Sequence, residues 1–309
     1  MDEVKVLSPA TVSNVVCGFD CLGFALSEPC DEMTVRKIDQ PIIRIFNHDN
    51  YGLPTDAAKN VAGVAIQALM DAAQMTHGFE IEITKHIKPG SGIGSSSASS
   101  CGAVVAANKL VGDKFSKSEL VQFAMEGEFL ASGSRHADNV APCVYGGFTL
   151  VRSTEPLDIV SLDFPPMFAT VIHPQIEIKT SEARSILPQQ VPLKDAVRNW
   201  SHLGAFVAAL AKGDYELLSR SMVDTIVEPA RKSLIPKFDE VRSASLDAGA
   251  IGGGISGSGP SIFMLSTARE SAENIAAAMR VVYSTTGIEF NIYVSKIHPE
   301  GVRINDQVT

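Results

Sequence analysis

The stretch Lys88-Pro89-Gly90-Ser91-Gly92-Ile93-Gly94-Ser95-Ser96-Ser97-Ala98-Ser99 holds the residues best suited to chemistry. Glycines at 90, 92 and 94 alternate behind a strand pattern, so backbone N–H groups can converge on an anion. The segment that follows has helical composition, and its N-terminal dipole adds to that attraction. Hydroxyls after Gly94 supply hard oxygen ligands for a cation and allow close packing. Gly94 is followed by Ser95 rather than by Gly-Lys, so this is not a Walker A loop. A plain Gly/Ser linker is the competing reading, and the clean strand and helix patterns on either side argue against it.

A second glycine-rich stretch, residues 252–260, contains G-x-G-x-x-G at Gly252, Gly254 and Gly257. A dinucleotide fingerprint opens a helix, whereas Pro260 here leads into an apolar strand pattern. A tight backbone crossing between helix and strand explains these glycines at least as well as a ligand role. Near the N-terminus, residues 9–20 set polar Asn14 and Asp20 among apolar neighbours, where Asn and Asp beside glycine are ordinary turn formers.

Elements of both kinds must position these stretches. Residues 4–7, 32–38, 42–46 and 79–84 carry strand patterns, and 60–75, 101–110 and 117–130 helical ones. Prolines and short strands around 156–166 mark a domain seam. Beyond it the patterns predict strands at 168–172, 260–265 and 289–294, with helices at 194–210, 237–248 and 272–283. No internal repeat interrupts the alternation. The expected class is α+β in two layers, with domains over residues 1–165 and 166–309.

The 309 residues suit two domains better than one. Lys and Arg total 26 against 35 Asp and Glu, a formal charge of −9, which argues against a nucleic-acid partner. With 45% apolar and 20% charged residues, the chain can bury a large core. No apolar run approaches the ~18 residues of a membrane span. Met1-Asp2-Glu3-Val4-Lys5 offers neither a basic nor an apolar leader region, so no secretory signal is expected. Five cysteines, an odd number without C-x-x-C, fit reduced thiols in the cytoplasm better than disulfides or zinc.

Taken together and in this order, the three stretches resemble the motifs of the GHMP kinases. Gly92-Ile93-Gly94-Ser95-Ser96-Ser97-Ala98 matches that family's G-[LI]-G-S-S-x-[AS], and residues 252–260 match G-x-G-x-S-G-S-G-P. Four stretches resemble the members of the family that act on L-homoserine. Residues 9–20 follow P-A-T-x-x-N-x-x-x-G-F-D, 136–142 follow H-x-D-N-V-A-P, 180–184 follow T-x-x-A-R, and 256–260 complete the set. One departure is Val15-Val16, where Leu-Gly is frequent.

The resemblance implies an N-terminal domain like the second domain of ribosomal protein S5, with a left-handed βαβ crossover, and a ferredoxin-like C-terminal domain. It implies ATP on Pro89, Gly90, Ser91, Gly92, Ile93, Gly94, Ser95, Ser96 and Ser97, with the adenine near Asn60 and Val61. Mg²⁺ would be held by Ser96 and Glu128, because the family's glutamate lies eight positions before His136; Glu126 is the competitor. Arg184 and Arg231 would take the carboxylate of L-homoserine. Asp20 and Asn14 would take its ammonium, with Thr180 and His136 in the same pocket. Asn139 and Asp20 would act on the hydroxyl, while Asp138 is equally explained as a helix cap. No general base stands out, so positioning and electrostatics would carry the transfer. The product would be O-phospho-L-homoserine, a step of threonine biosynthesis, and the expected assembly is a homodimer. Another GHMP kinase of small molecules, or a catalytically silent ATP-binding relative, are the alternatives.

Overall fold

The structure is a computed structural model and describes residues 2–305. Its first half runs β1 (Glu3–Ser13), β2 (Leu22–Ile38), β3 (Ile43–Asn47), α1 (Val61–Ala73), β4 (Gly78–Thr84), α2 (Ser95–Leu110), α3 (Lys117–Ser132), α4 (Val140–Tyr145), β5 (Phe148–Thr154) and β6 (Leu157–Leu162). The second half runs β7 (Phe168–Pro174), α5 (Thr180–Ser185), α6 (Leu193–Lys212), α7 (Tyr215–Ser221), α8 (Glu228–Arg231), α9 (Phe238–Asp247), β8 (Gly252–Ile255), β9 (Ile262–Ser266), α10 (Arg269–Tyr283), β10 (Phe290–Lys296) and β11 (Arg303–Ile304).

Alternation builds the first sheet. Along β4, Phe79, Ile81 and Ile83 are buried while Glu80 and Glu82 are not. The sheet order is β11-β1-β2-β4-β3, with β5 also on β2 and β6 beyond it. Strands β3 and β4 are parallel, so α1 is the crossover between them. Helices α1, α2 and α3 share a core with this sheet through Ile66, Leu69, Val104 and Val121.

The second sheet is wholly antiparallel in the order β10-β7-β9-β8. Counted within this half, that is fourth, first, third, second, the ferredoxin-like arrangement. The expected two-part α+β fold is therefore present. Phe24 of the first sheet lies 4.9 Å from the Phe148 ring and 5.6 Å from Phe263 of the second, so one aromatic cluster joins both. We propose a domain boundary at 165/166, which separates the sheets except for β11, paired with β1.

Helix α2 and strands β2 and β8 are among the elements that differ from the sequence patterns. Helix α2 starts at Ser95 rather than near 101, because its first serines donate to backbone carbonyls instead of breaking the helix. Ser95 Oγ reaches Ile87 O at 2.7 Å and Ser100 Oγ reaches Ser96 O at 3.1 Å. Strand β2 begins ten residues early, at Leu22. Its first part (Leu22, Phe24, Ala25, Leu26) is buried on both faces, so no alternation announces it. Residues 252–255, read as a crossing, form strand β8, where a Cβ on Gly253 would run into Phe263 O. All five cysteines are free, and only Cys21 is not fully buried. Among the described residues no helix is long and apolar enough to cross a membrane.

Candidate active site

A cavity of about 580 Å³ is walled by both halves of the chain. One wall is the loop between β4 and α2, where Gly90, Gly92 and Gly94 adopt φ of 74°, 78° and 72°. Only glycine enters that region cheaply, so the alternating glycines permit the tight curl of the loop along the cavity. The second glycine-rich stretch clasps this loop from behind. Ser256 Oγ donates to Gly92 O at 2.7 Å and Ser261 Oγ to Ser91 O at 2.6 Å. Gly257 N donates to Ser13 O at 3.2 Å, which ties all three sequence stretches together.

Pro89, Gly90, Ser91, Gly92, Gly94, Ser95 and Ser96 face the cavity. Three residues expected at the nucleotide do not. Ile93 is buried in the core and its carbonyl accepts from Thr11 N at 3.1 Å. Ser97 is buried and donates to Glu128 Oε2 at 3.2 Å. Asn60 caps α1, accepting from Ala62 N at 2.9 Å and donating to Pro54 O at 2.7 Å, while its neighbour Val61 reaches the wall.

Glu128 projects from α3 over the first turn of α2, and Ser96 Oγ donates to its Oε2 at 2.9 Å. Glu126 instead faces outward, taking both forks of Arg135 at 3.0 Å. The Ser96–Glu128 pair offers hard oxygens only, and no cluster of three acidic, His or Cys side chains occurs among the described residues. That donor set fits Mg²⁺, which takes one or two protein oxygens and completes its shell with phosphate and water.

The opposite wall recognises charge. Residues Asn14, Val15 and Val16 all sit at positive φ, 70°, 36° and 59°, so a strained turn replaces the Leu-Gly of the motif. Asn14 holds the turn, accepting from Asp20 N at 3.0 Å and donating to Gly257 O at 2.7 Å. Arg184 Nη2, from α5, lies 2.9 and 3.0 Å from the two Asp20 carboxylate oxygens and 2.9 Å from His136 Nε2. Burial lowers the His136 pKa below its ordinary value, so a neutral ring accepts from Arg184. Arg231 is 3% exposed and spends Nε on Ala183 O at 3.1 Å and Nη1 on Gly257 O at 3.0 Å. Both guanidinium groups lie over the Phe19 ring, at 5.5 and 5.1 Å from its centroid. Thr180, at the start of α5, completes this side.

Asn139 stands between the two walls. Its Oδ1 accepts from Thr11 Oγ1 at 2.8 Å and its Nδ2 donates to Ser13 Oγ at 2.9 Å. Asp138 does not cap α4, which has no side-chain cap. Burial, reinforced by the charges of Asp20 and Glu128, pushes its carboxyl up to about 7. Thr11 is a fixed position of the motif over residues 9–20 that is given no role there, and the motifs do not point to Ser13, Ser181 or Lys85. Lys85, one residue past the end of β4, gives no local signal in the sequence.

The geometry is that of an anion cradle with a hydroxyl–carboxylate pair at one end and a guanidinium–carboxylate set facing it. It suits phosphoryl transfer to a small charged molecule. The family description "GHMP kinases N terminal domain" fits residues 59–147, and "GHMP kinases C terminal" fits 206–285. The chain belongs to the GHMP kinase family and is a kinase that uses ATP. Within that family its full-length relatives include homoserine kinases. One from Chloroherpeton thalassium is 45% identical over 98% of this chain and 100% of its own. Another from Pyrococcus furiosus is 40% identical, over 95% and 98%. The crystal structure of homoserine kinase from Cytophaga hutchinsonii is 50% identical with a TM-score of 0.95, covering 99% of this chain and 98% of that one. Mevalonate kinase from L. major, at 17% identity and a TM-score of 0.72, shares the fold.

Proposed function

We propose that this enzyme transfers the γ-phosphoryl group of ATP to the side-chain oxygen of L-homoserine, with Mg²⁺ held by Ser96 and Glu128. The observation that carries the reading is the Asp20–Arg184–Arg231 set facing the glycine loop across one cavity. An α-amino acid presents one carboxylate and one ammonium, and this wall offers two guanidinium groups and one carboxylate. Galactose has neither charge, and mevalonate lacks the ammonium that would answer Asp20.

Gly90 to Ser96 would hold the phosphates with backbone N–H groups at the N-terminus of α2. Mg²⁺, when bound, neutralises charge on the β- and γ-oxygens. Arg184 and Arg231 hold the substrate carboxylate, and Asp20 with Asn14 holds its ammonium. Asn139, fixed by Thr11 and Ser13, retains one amide hydrogen to orient the hydroxyl. The hydroxyl oxygen forms the new bond to phosphorus as the bond to the ADP oxygen breaks, and its proton passes to an oxygen of the transferred group. We place the enzyme in the cytoplasm, in line with its reduced thiols.

An ADP-release assay across L-homoserine, mevalonate and galactose tests the assignment. Turnover should be greatest with L-homoserine; faster turnover of either rival overturns it, and no turnover of any acceptor indicates a silent relative.

A further inference from the structure

A buried ion pair lies behind the anion cradle, and none of the roles above uses it. Lys85 and Asp31 are 1% and 0% exposed at their side chains, and the Lys85 ammonium bonds directly to Asp31 Oδ2. Every further polar contact of the pair runs to the cradle or its approach. Lys85 Nζ donates to Ser95 O at 2.8 Å and to Ser99 Oγ at 3.0 Å. Asp31 Oδ1 accepts from the amides of His86 and Ile87 at 2.8 and 2.9 Å. Ser95 Oγ in turn donates to Ile87 O at 2.7 Å, closing a ring of bonds between the end of β4 and the first turn of α2.

Burying two charges costs more than burying apolar groups of the same shape, so stability alone gives little reason to keep them. Their placement gives a better one. Ser95 O and Ser96 N belong to one planar peptide and point in opposite directions. Anchoring that carbonyl to the Lys85 ammonium therefore fixes where the Ser96 amide aims. The same anchor fixes the root of the Ser96 side chain, whose hydroxyl meets Glu128 at 2.9 Å. Lys85 also forms part of the cavity wall, so its positive charge adds to the helix dipole at the phosphate end.

We propose that Lys85, held by Asp31, is a positioning residue that sets the Ser95–Ser96 peptide and thereby the Mg²⁺–phosphate end of the site. This rests on the reading of that end as the Mg²⁺–nucleotide site.

The test compares Lys85→Met with Lys85→Arg and with the doubly neutral Asp31→Asn/Lys85→Met, reading Tm, calorimetric affinity for Mg²⁺–ADP, and kcat. Lys85→Met alone leaves Asp31 buried and unpaired, so its Tm should drop. The double variant should regain most of that Tm, yet bind Mg²⁺–ADP about 10-fold more weakly and lose kcat, with the L-homoserine KM within about twofold. Lys85→Arg, which keeps the charge, should restore part of the nucleotide affinity. A double variant that folds, binds Mg²⁺–ADP and turns over like the parent makes the pair merely structural and overturns the proposal. A double variant that never regains Tm overturns the separation of folding from positioning. If the parent protein binds Mg²⁺–ADP but ignores L-homoserine, the acceptor assignment fails while this proposal stands.

Discussion

Arg184 and Asp20 neutralise one another on one wall of the cavity, with one guanidinium nitrogen 2.9 and 3.0 Å from the two carboxylate oxygens. These are the groups assigned to opposite ends of the substrate zwitterion, so L-homoserine would enter by exchanging one ion pair for two. Both side chains are more than a third exposed in the open site, so the pair itself adds little stability. Arg184→Ala should leave Tm nearly unchanged and lower kcat/KM for L-homoserine by about 30- to 1,000-fold. Arg184→Lys should still be damaging, since an ammonium cannot make the planar fork. Apparent ATP affinity should hardly move. An analogue lacking the carboxylate should be turned over equally slowly by the parent and by Arg184→Ala. Weakened ATP binding with an unchanged L-homoserine KM would move Arg184 to the nucleotide side.

Glu128 and Glu126 sit two residues apart on α3 and face different worlds, one toward Ser96 and the other toward Arg135. Glu128→Gln should cut kcat by about 100-fold or more, because it removes the charged oxygen offered to Mg²⁺. ADP binding without metal should persist, since backbone amides of the glycine loop supply most phosphate contacts. Glu126→Gln should stay within about twofold, losing only a surface pair. Metal-dependent turnover and metal-free ADP titration separate the two effects, and a swap of the two phenotypes would relocate the metal ligand.

The sequence patterns that located the site were those with a local cause. Alternating glycines beside Ser95 and Ser96 announce a positive-φ curl, while Glu128 is preferred to Glu126 only through the family resemblance, by its place eight positions before His136. What stayed hidden depends on contacts far along the chain. The family resemblance puts Asn60 near the adenine, yet its side chain is consumed as a helix cap. Ser256 lies in the glycine-rich stretch and Ser261 in the strand pattern after it, and only the folded chain brings them to Gly92 and Ser91 across 164 and 170 positions. Lys85 is a lone lysine after a strand until Asp31, on β2, is folded against it. Strand β2 lost its first ten of 17 residues in the sequence reading because the full burial of its start removes the alternation on which strand recognition depends.

Asp138 carries a pH signature. Its carboxyl is raised from 3.8 to about 7 in the folded protein, so the native state holds its proton more tightly than the unfolded chain. The stabilisation is complete at low pH and is lost as pH rises through about 7. Asp138→Asn keeps the shape without the titration. The Tm of Asp138→Asn minus that of the parent should therefore rise between about pH 5 and about pH 8, then level off. Thermal melts of both proteins across that range give the answer. A flat difference would mean that Asp138 is ionised throughout, with a cation beside it that the fold does not show.

Gly94 links the phosphate loop to the reacting end of the site. At φ 72° it opens α2, and a Cβ there would land on Thr11 Oγ1 and lie 3.2 Å from Asn139 Oδ1. Those two atoms are hydrogen-bonded at 2.8 Å, and that bond holds the Asn139 amide. Gly94→Ala therefore combines backbone strain of about 1–2 kcal/mol with displacement of Asn139. Gly133 separates the two contributions. It ends α3 at φ 75°, with no atom within 4 Å of the position its Cβ would take. Gly133→Ala should lower Tm by a few degrees and keep kcat within about twofold. Gly94→Ala should lower kcat by about 100-fold or more, because a displaced orienting group is felt steeply in the transition state. Steady-state kinetics beside thermal melts distinguish the outcomes. If both variants lose only stability, the Thr11–Asn139 bond does not hold a reacting group, and the role assigned to Asn139 falls with it.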